Sequence, residues 1–118
     1  MSLAKNKGSN AEHRAAIFLQ QQKLRLLKKN YRCRFGEIDL IMQEGDTVVF
    51  VEVRMRTGDR FGGAAASITT AKQAKLTLAA RHYLVGCDDS FPCRFDVILI
   101  SGNGEDEIEW IQNAFDAT

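Results

Sequence analysis

The sequence predicts a single α/β domain, with a mixed central sheet flanked by helices in the order αβββαβ and a further C-terminal strand. Three observations predict it. Arg34 to Arg56 alternates apolar and polar residues on either side of Gly45-Asp46, the pattern of a β-hairpin. A helical stretch from Thr69 to Val85 separates that hairpin from the apolar run Arg94 to Ser101, which asks for a right-handed parallel crossover. The chain has 118 residues, 45% of them hydrophobic and 26% charged, the size and balance of one domain that buries its own core.

Met1 to Gly8 reads as a flexible polar lead, so the domain proper is expected to span residues 9–118. Ser9-Asn10-Ala11-Glu12 fits the Ser-x-x-Glu capping box that opens a helix, here running to about Gln22. Ala11, Ala15, Phe18 and Leu19 share one side of that helix and mark its buried face. Glu12 falls at the edge of the face, and on local grounds capping is its better-supported role. Leu24 to Cys33 reads as a first strand set among basic residues, with Gly36 bending the chain into the hairpin.

In the hairpin, strands Glu37 to Gln43 and Thr47 to Arg54 flank the Gly45-Asp46 turn. Glu44 then faces Thr47, Met42 faces Val49, Ile41 faces Phe50, Asp39 faces Glu52 and Glu37 faces Arg54. One face carries Ile38, Leu40, Met42, Val49, Val51 and Val53 and is the expected core side. The other begins with Ile41 and Phe50 and then sets Asp39 against Glu52, flanked by Glu37, Arg54 and Arg56. Like charges opposed on a sheet destabilise it. Hard oxygen ligands facing each other suit a divalent cation such as Mg²⁺, completed by water and substrate phosphate. A solvated outer face with local ion pairs, Glu37 with Arg54 for example, accounts for the pattern about as well. A one-residue slip of register would turn the carboxylates apart.

Thr57 to Ala66 is glycine-rich and reads as a mobile loop at the charged end of the hairpin, a substrate cover or a plain connector. It lacks the GxxxxGK[ST] pattern of a phosphate-binding loop. Thr69 or Thr70 caps the second helix, Leu76, Ala79, Ala80, Tyr83 and Leu84 form its apolar stripe, and Gly86 ends it. Lys72, Lys75 and Arg81 lie off that stripe. Cys87 to Pro92 is a turn, Arg94 to Ser101 a buried strand, and Gly102-Asn103-Gly104 another turn. Ile108 to Ile111 alternates as a final edge strand, and Asn113 to Thr118 trails away.

Net charge is +1, but it is unevenly spread. Lys5, Lys7, Arg14, Lys23, Arg25, Lys28, Lys29, Arg32 and Arg34 precede the hairpin against the single acid Glu12, whereas Glu105, Asp106, Glu107, Glu109 and Asp116 crowd the C-terminal end. A basic segment beside a carboxylate pair points to a polyanion partner. No apolar run is long enough for a membrane span, and no signal-peptide pattern is present. Cys33, Cys87 and Cys93 make neither a CxxC pair nor a disulfide framework, which favours a reducing cytoplasm.

Asn30-Tyr31-Arg32-Cys33-Arg34, Gly36-Glu37-Ile38-Asp39-Leu40-Ile41, Phe50-Val51-Glu52-Val53-Arg54, Lys72 and Arg94-Phe95-Asp96-Val97 together resemble the YraN-like family of bacterial proteins. Through it the chain resembles the PD-(D/E)xK superfamily of restriction-endonuclease-like and Holliday-junction-resolvase-like proteins. The resemblance runs from about Gly8 to Phe115. It implies a restriction-endonuclease-like fold, with Asp39 and Glu52 as metal carboxylates and Glu12 completing the site. Glu37 and Asp96 belong to the family pattern without an agreed role. Lys23 stands where many members carry a turn glycine. The superfamily usually has lysine two residues after the second carboxylate, where this chain has Arg54. Arginine is effectively always protonated, so it can neutralise phosphate charge but cannot act as a general base.

The expected activity is therefore Mg²⁺- or Mn²⁺-dependent hydrolysis of DNA, structured or branched DNA by resemblance. Asp39, Glu52 and Glu12 are the metal set, Arg54 serves the phosphate, and Lys28, Lys29, Arg32, Arg34, Arg56 and Lys72 contact the nucleic acid. A symmetric homodimer suits a junction with two equivalent strands. The alternatives are a non-catalytic nucleic-acid-binding module with the same fold, and an interaction protein whose acidic face docks a basic partner.

Overall fold

The structure is a computed structural model that describes residues 3–56, 68–85, 91–101 and 108–115; for 3–9, Arg56 and Ser101 it describes the backbone alone. The elements are α1 (Leu3–Gln21), β1 (Arg25–Cys33), β2 (Gly36–Glu44), β3 (Thr47–Arg56), α2 (Thr70–Leu84), β4 (Cys93–Ser101) and β5 (Ile108–Phe115). The strands form one sheet in the order β1-β2-β3-β4-β5, parallel between β3 and β4 and antiparallel elsewhere. This is the expected α/β domain with a mixed central sheet between helices.

Both faces of the sheet are buried. Ala11, Ala15, Ala16 and Leu19 of α1 pack with Leu40, Met42, Val49, Val51, Ile98 and Ile100 on one face. Leu76, Ala79 and Ala80 of α2 pack with Ile38, Ile41, Phe50, Phe95, Val97 and Leu99 on the other. The helices flank the sheet as expected: α2, carried by the β3–β4 crossover, covers the face that begins with Ile41 and Phe50. Ile38 is corrected: it packs with Ile41 on the α2 side, not with Leu40 and Met42. Strict alternation breaks at Asp39, beside which Asn30 of β1 turns to a φ of 52°.

The β2–β3 register is Glu44↔Thr47, Met42↔Val49, Ile41↔Phe50 and Leu40↔Val51, with Gly45 supplying the positive φ of 58° that the turn requires. The paired rungs end at Leu40↔Val51, so Asp39 and Glu52 are not a rung of the ladder. Glu37 pairs with Arg32 of β1 and not with Arg54; their side chains lie 3.3 Å apart.

Two boundaries differ from expectation. α1 begins at Leu3, so Ser9 and Glu12 stand inside the helix and the capping box does not open it. Leu3, Ala4, Lys5 and Lys7 favour helix strongly enough to extend it. At its end Lys23 takes a φ of 75°, the turn conformation that suits glycine best. β5 runs on to Phe115, whose ring stacks on Phe95 at 4.7 Å, and does not stop at Ile111. Its pairing survives a register shift because buried Asp96 accepts hydrogen bonds from Trp110 Nε1 and Asn113 N, each at 2.9 Å. Asp96 is also held by Arg94, which reaches Glu44 at 2.6 Å. Its role is therefore structural: it ties β4 to β5 and to the end of β2.

Thr69 caps α2, its Oγ1 accepting the amide of Lys72 at 3.1 Å. The expected loop Thr57 to Ala66, the turn glycine Gly86, most of the Cys87 to Pro92 turn and the Gly102 to Gly104 turn lie outside the described residues. Among the described residues no helix is long and apolar enough to cross a membrane.

Candidate active site

Where the β2–β3 ladder ends, the chain itself supplies the missing partner. The amide of Val53 donates to Asp39 Oδ2 at 2.8 Å, which holds the carboxylate in the gap between the two strands. Glu52, the preceding residue on β3, is 8% exposed and shares a hydrogen bond with Asp39. Glu12 reaches Asp39 from α1 and is also hydrogen-bonded by Asn30. Asp39 thus links two carboxylates that come from different layers of the fold.

Two cations meet Glu52. Arg54 Nε lies 3.4 Å and Lys72 Nζ 3.6 Å from Glu52 Oε2. The Arg54 Nε is buried and is not aligned for a hydrogen bond at that distance. The residue missed at this spot is Lys72, which the sequence placed among nucleic-acid contacts. It stands in the first turn of α2, and its approach to Glu52 depends on how α2 docks, which no local spacing encodes. Asn30 was also missed; an Asn inside a strand was its only local signal.

Burial pushes Glu52 up to about 7, with the Asp39 charge adding to it and Lys72 and Arg54 opposing. Burial likewise pushes Glu12 up to about 7, reinforced by the charges of Asp39 and Glu37. Asp39 is raised by burial as well, although the Val53 amide and Lys72 favour its ionised form.

These groups hold protons more tightly folded than unfolded. Their contribution to stability is full below the unfolded value of 4.5 and is lost as pH rises through about 7. The metal-free protein is therefore expected to melt at lower temperature as pH rises across that window. Glu12→Gln and Glu52→Gln should each flatten the dependence, which thermal unfolding followed by circular dichroism would read.

The donor set fits Mg²⁺ or Mn²⁺ in chemistry: hard carboxylate oxygens whose ionisation burial opposes first and neighbouring carboxylates oppose further. Among the described residues no three ligand side chains converge into a ready-made cage; Asp39 is the common member of two pairs.

The expected nucleic-acid contacts lie on β1, on the turn after it, at the end of β3 and on α2. Lys28 and Lys29 are exposed on the edge strand β1. Arg32 is exposed and engaged by Glu37, and Arg34 lies over the Phe35 ring at 4.9 Å. Lys72 stands at Glu52, and the side chain of Arg56 lies outside the described residues.

The sequence profile of the Uncharacterised protein family UPF0102 matches residues 11–100. A UPF0102 protein of Nitrosomonas europaea is 78% identical over 98% of this chain and 98% of its own length. One of Nitrosospira multiformis is 58% identical over 93% of this chain and 92% of its own. One of Nitrosococcus oceani is 51% identical over 94% and 92%. The matched span contains Glu12, Asp39, Glu52, Arg54 and Lys72.

Proposed function

The chain belongs to the UPF0102 family, and from that premise we propose that it is a divalent-cation-dependent endonuclease acting on DNA, structured or branched DNA in particular. The observation that carries this reading is the pairing of Asp39 with Glu12 on one side and with Glu52 on the other at the end of the β2–β3 ladder, with Lys72 and Arg54 against Glu52. A protein shaped for stability alone gains nothing from three carboxylates that burial drives to hold protons.

Asp39 and Glu52, with Glu12, would hold Mg²⁺ or Mn²⁺. When bound, the cation supplies an activated water and Lewis-acid stabilisation of phosphate charge. The chain does the rest. The Val53 amide fixes Asp39, and Asn30 fixes Glu12. Arg54 and Lys72 set two positive charges beside the site, available to phosphate oxygens as charge grows on them. An arginine is a fixed positive charge, so Arg54 serves phosphate electrostatically and not as a general base. Two copies would serve the two equivalent strands of a branch, so a homodimer is part of this reading. The free thiols of Cys33 and Cys93 support a reducing, cytoplasmic setting.

A second reading, a non-catalytic nucleic-acid-binding module, is favoured by one feature: Lys72 and Arg54 already neutralise Glu52 without a metal. Calorimetric titration of Mn²⁺ into metal-free protein, in buffers of different ionisation enthalpy, separates the two. Near neutral pH, where burial favours the protonated forms of Glu12 and Glu52, the enzyme reading expects proton release on binding and affinity that rises with pH. Absence of saturable binding would leave the binding module.

A further inference from the structure

Away from the carboxylates, a row of aromatic rings runs out of the core to the tip of the β1–β2 hairpin. Phe95 meets Phe50 at 5.4 Å, Phe50 meets Tyr83 at 6.1 Å, and Tyr83 meets Tyr31 at 5.3 Å. Tyr31 and Phe35 each meet the His82 ring at 6.0 Å. The inner rings of Phe50 and Phe95 are buried, Tyr31 and Phe35 are half-buried, and His82 is exposed. The Tyr31 hydroxyl is hydrogen-bonded to His82 Nδ1, which ties the imidazole to the end of the tyrosine side chain.

Phe35 is an unusual residue for its place. With Arg34 it forms the two-residue turn between β1 and β2, where small polar residues are the rule. Exposed Arg34, Arg32, Lys75 and Arg81 belong to the same hairpin and helix, and the acid among them, Glu37, is engaged by Arg32. Lys72, Lys75 and His82 share one stripe of α2 by helical spacing. That stripe passes close to β2, because a Cβ placed on Gly36 would lie 3.8 Å from Lys75 Cβ. One end of the stripe is at Glu52 and the other at Phe35. Along β2, Phe35 and Asp39 are separated by about 13 Å, at roughly 3.3 Å per residue.

We propose that this hairpin tip is a stacking platform for unpaired DNA bases, which take the place of the Arg34 guanidinium over the Phe35 ring and lie against Phe35 and His82 while the phosphates follow Arg34, Lys75 and Lys72 toward the carboxylates. Every base has a π-face, so aromatic platforms bordered by cations take single strands without regard to sequence. Bases inside a duplex are already stacked and cannot use it. The inference rests on the DNA reading above and adds the substrate class: DNA with a single-stranded flank next to the reacting phosphodiester.

The test is fluorescence anisotropy in metal-free buffer with three labelled ligands: a short single strand, a duplex bearing a single-stranded flap, and a blunt duplex. The proteins are wild type, Phe35→Leu and His82→Gln, each checked by thermal unfolding. The single strand and the flap are expected to bind more tightly than the blunt duplex. Each substitution is expected to weaken those two about tenfold and to leave the blunt duplex within about twofold. A 2-aminopurine placed in the flap should be quenched by wild type and less so by Phe35→Leu. Equal affinity for all three ligands, or equal losses on all three, would overturn the platform while leaving the DNA reading in place. No binding to any DNA would overturn both.

Discussion

Asp39→Asn is expected to abolish metal-stimulated cleavage, with a loss on the order of 10³-fold, while the protein stays folded and as stable or slightly more so. Asparagine keeps an oxygen acceptor for the Val53 amide, so the contact that holds the strand gap survives. Its amide can also donate to Glu12 or Glu52, where Asp39 could only repel them once all are ionised. The substitution should therefore lower the pH at which Glu12 and Glu52 ionise, because the Asp39 charge is one cause of their rise. Asp39→Ala is a different experiment. It leaves the Val53 amide without its partner and is expected to cost about 1–3 kcal/mol of stability as well as the activity. Loss of cleavage in the asparagine variant with stability intact would mark a residue retained for function against local preference.

Lys72→Ala is expected to lower turnover about 10²-fold, comparable with removing one preorganised donor from a reacting centre. Arg54→Ala should lose most of the activity too, whereas Arg54→Lys should retain it, since lysine keeps a positive charge beside Glu52. The two cations are not equivalent, and the pH profile distinguishes them from mere packing residues. Lys72 opposes the rise of the Glu52 carboxyl, so its loss should make Glu52 hold its proton to higher pH. The acidic limb of the activity profile should move upward with it. A Lys72→Ala variant with unchanged turnover and an unmoved profile would remove Lys72 from the site.

Much of this arrangement was legible before any coordinates. The Gly45-Asp46 turn fixes the register of β2 and β3, and the alternation of Leu40, Met42, Val49 and Val51 supplies one packed face. Asp39 and Glu52 could be brought together on that basis alone. What was not legible depends on contacts between distant parts of the chain. The register predicts a rung between Asp39 and Glu52, but the Val53 amide turns to the Asp39 carboxylate and the ladder stops one rung short. Glu37 finds Arg32 across the β1–β2 pairing, a competitor to Arg54 that the hairpin pattern does not contain. Glu12 resembles a helix cap in the sequence because the residues upstream of Ser9 lack an apolar stripe, yet they continue the helix. β5 looks short because Asn113 breaks its alternation; it takes a φ of 55° and is retained by Asp96.

If the carboxylates at the end of the β2–β3 ladder serve hydrolysis of DNA, cleavage must depend on both the cation and Asp39. The most direct measurement incubates purified protein with a panel of labelled DNA structures, a four-way junction, a flap, a single strand and a blunt duplex, with Mg²⁺, with Mn²⁺ and with chelator. The account predicts cleavage of a branched or flanked substrate with either cation, none with chelator, and none by Asp39→Asn. DNA binding by wild type with no cut in any substrate under either cation, and with binding and metal response unchanged in Asp39→Asn, would contradict it and leave the binding module in its place.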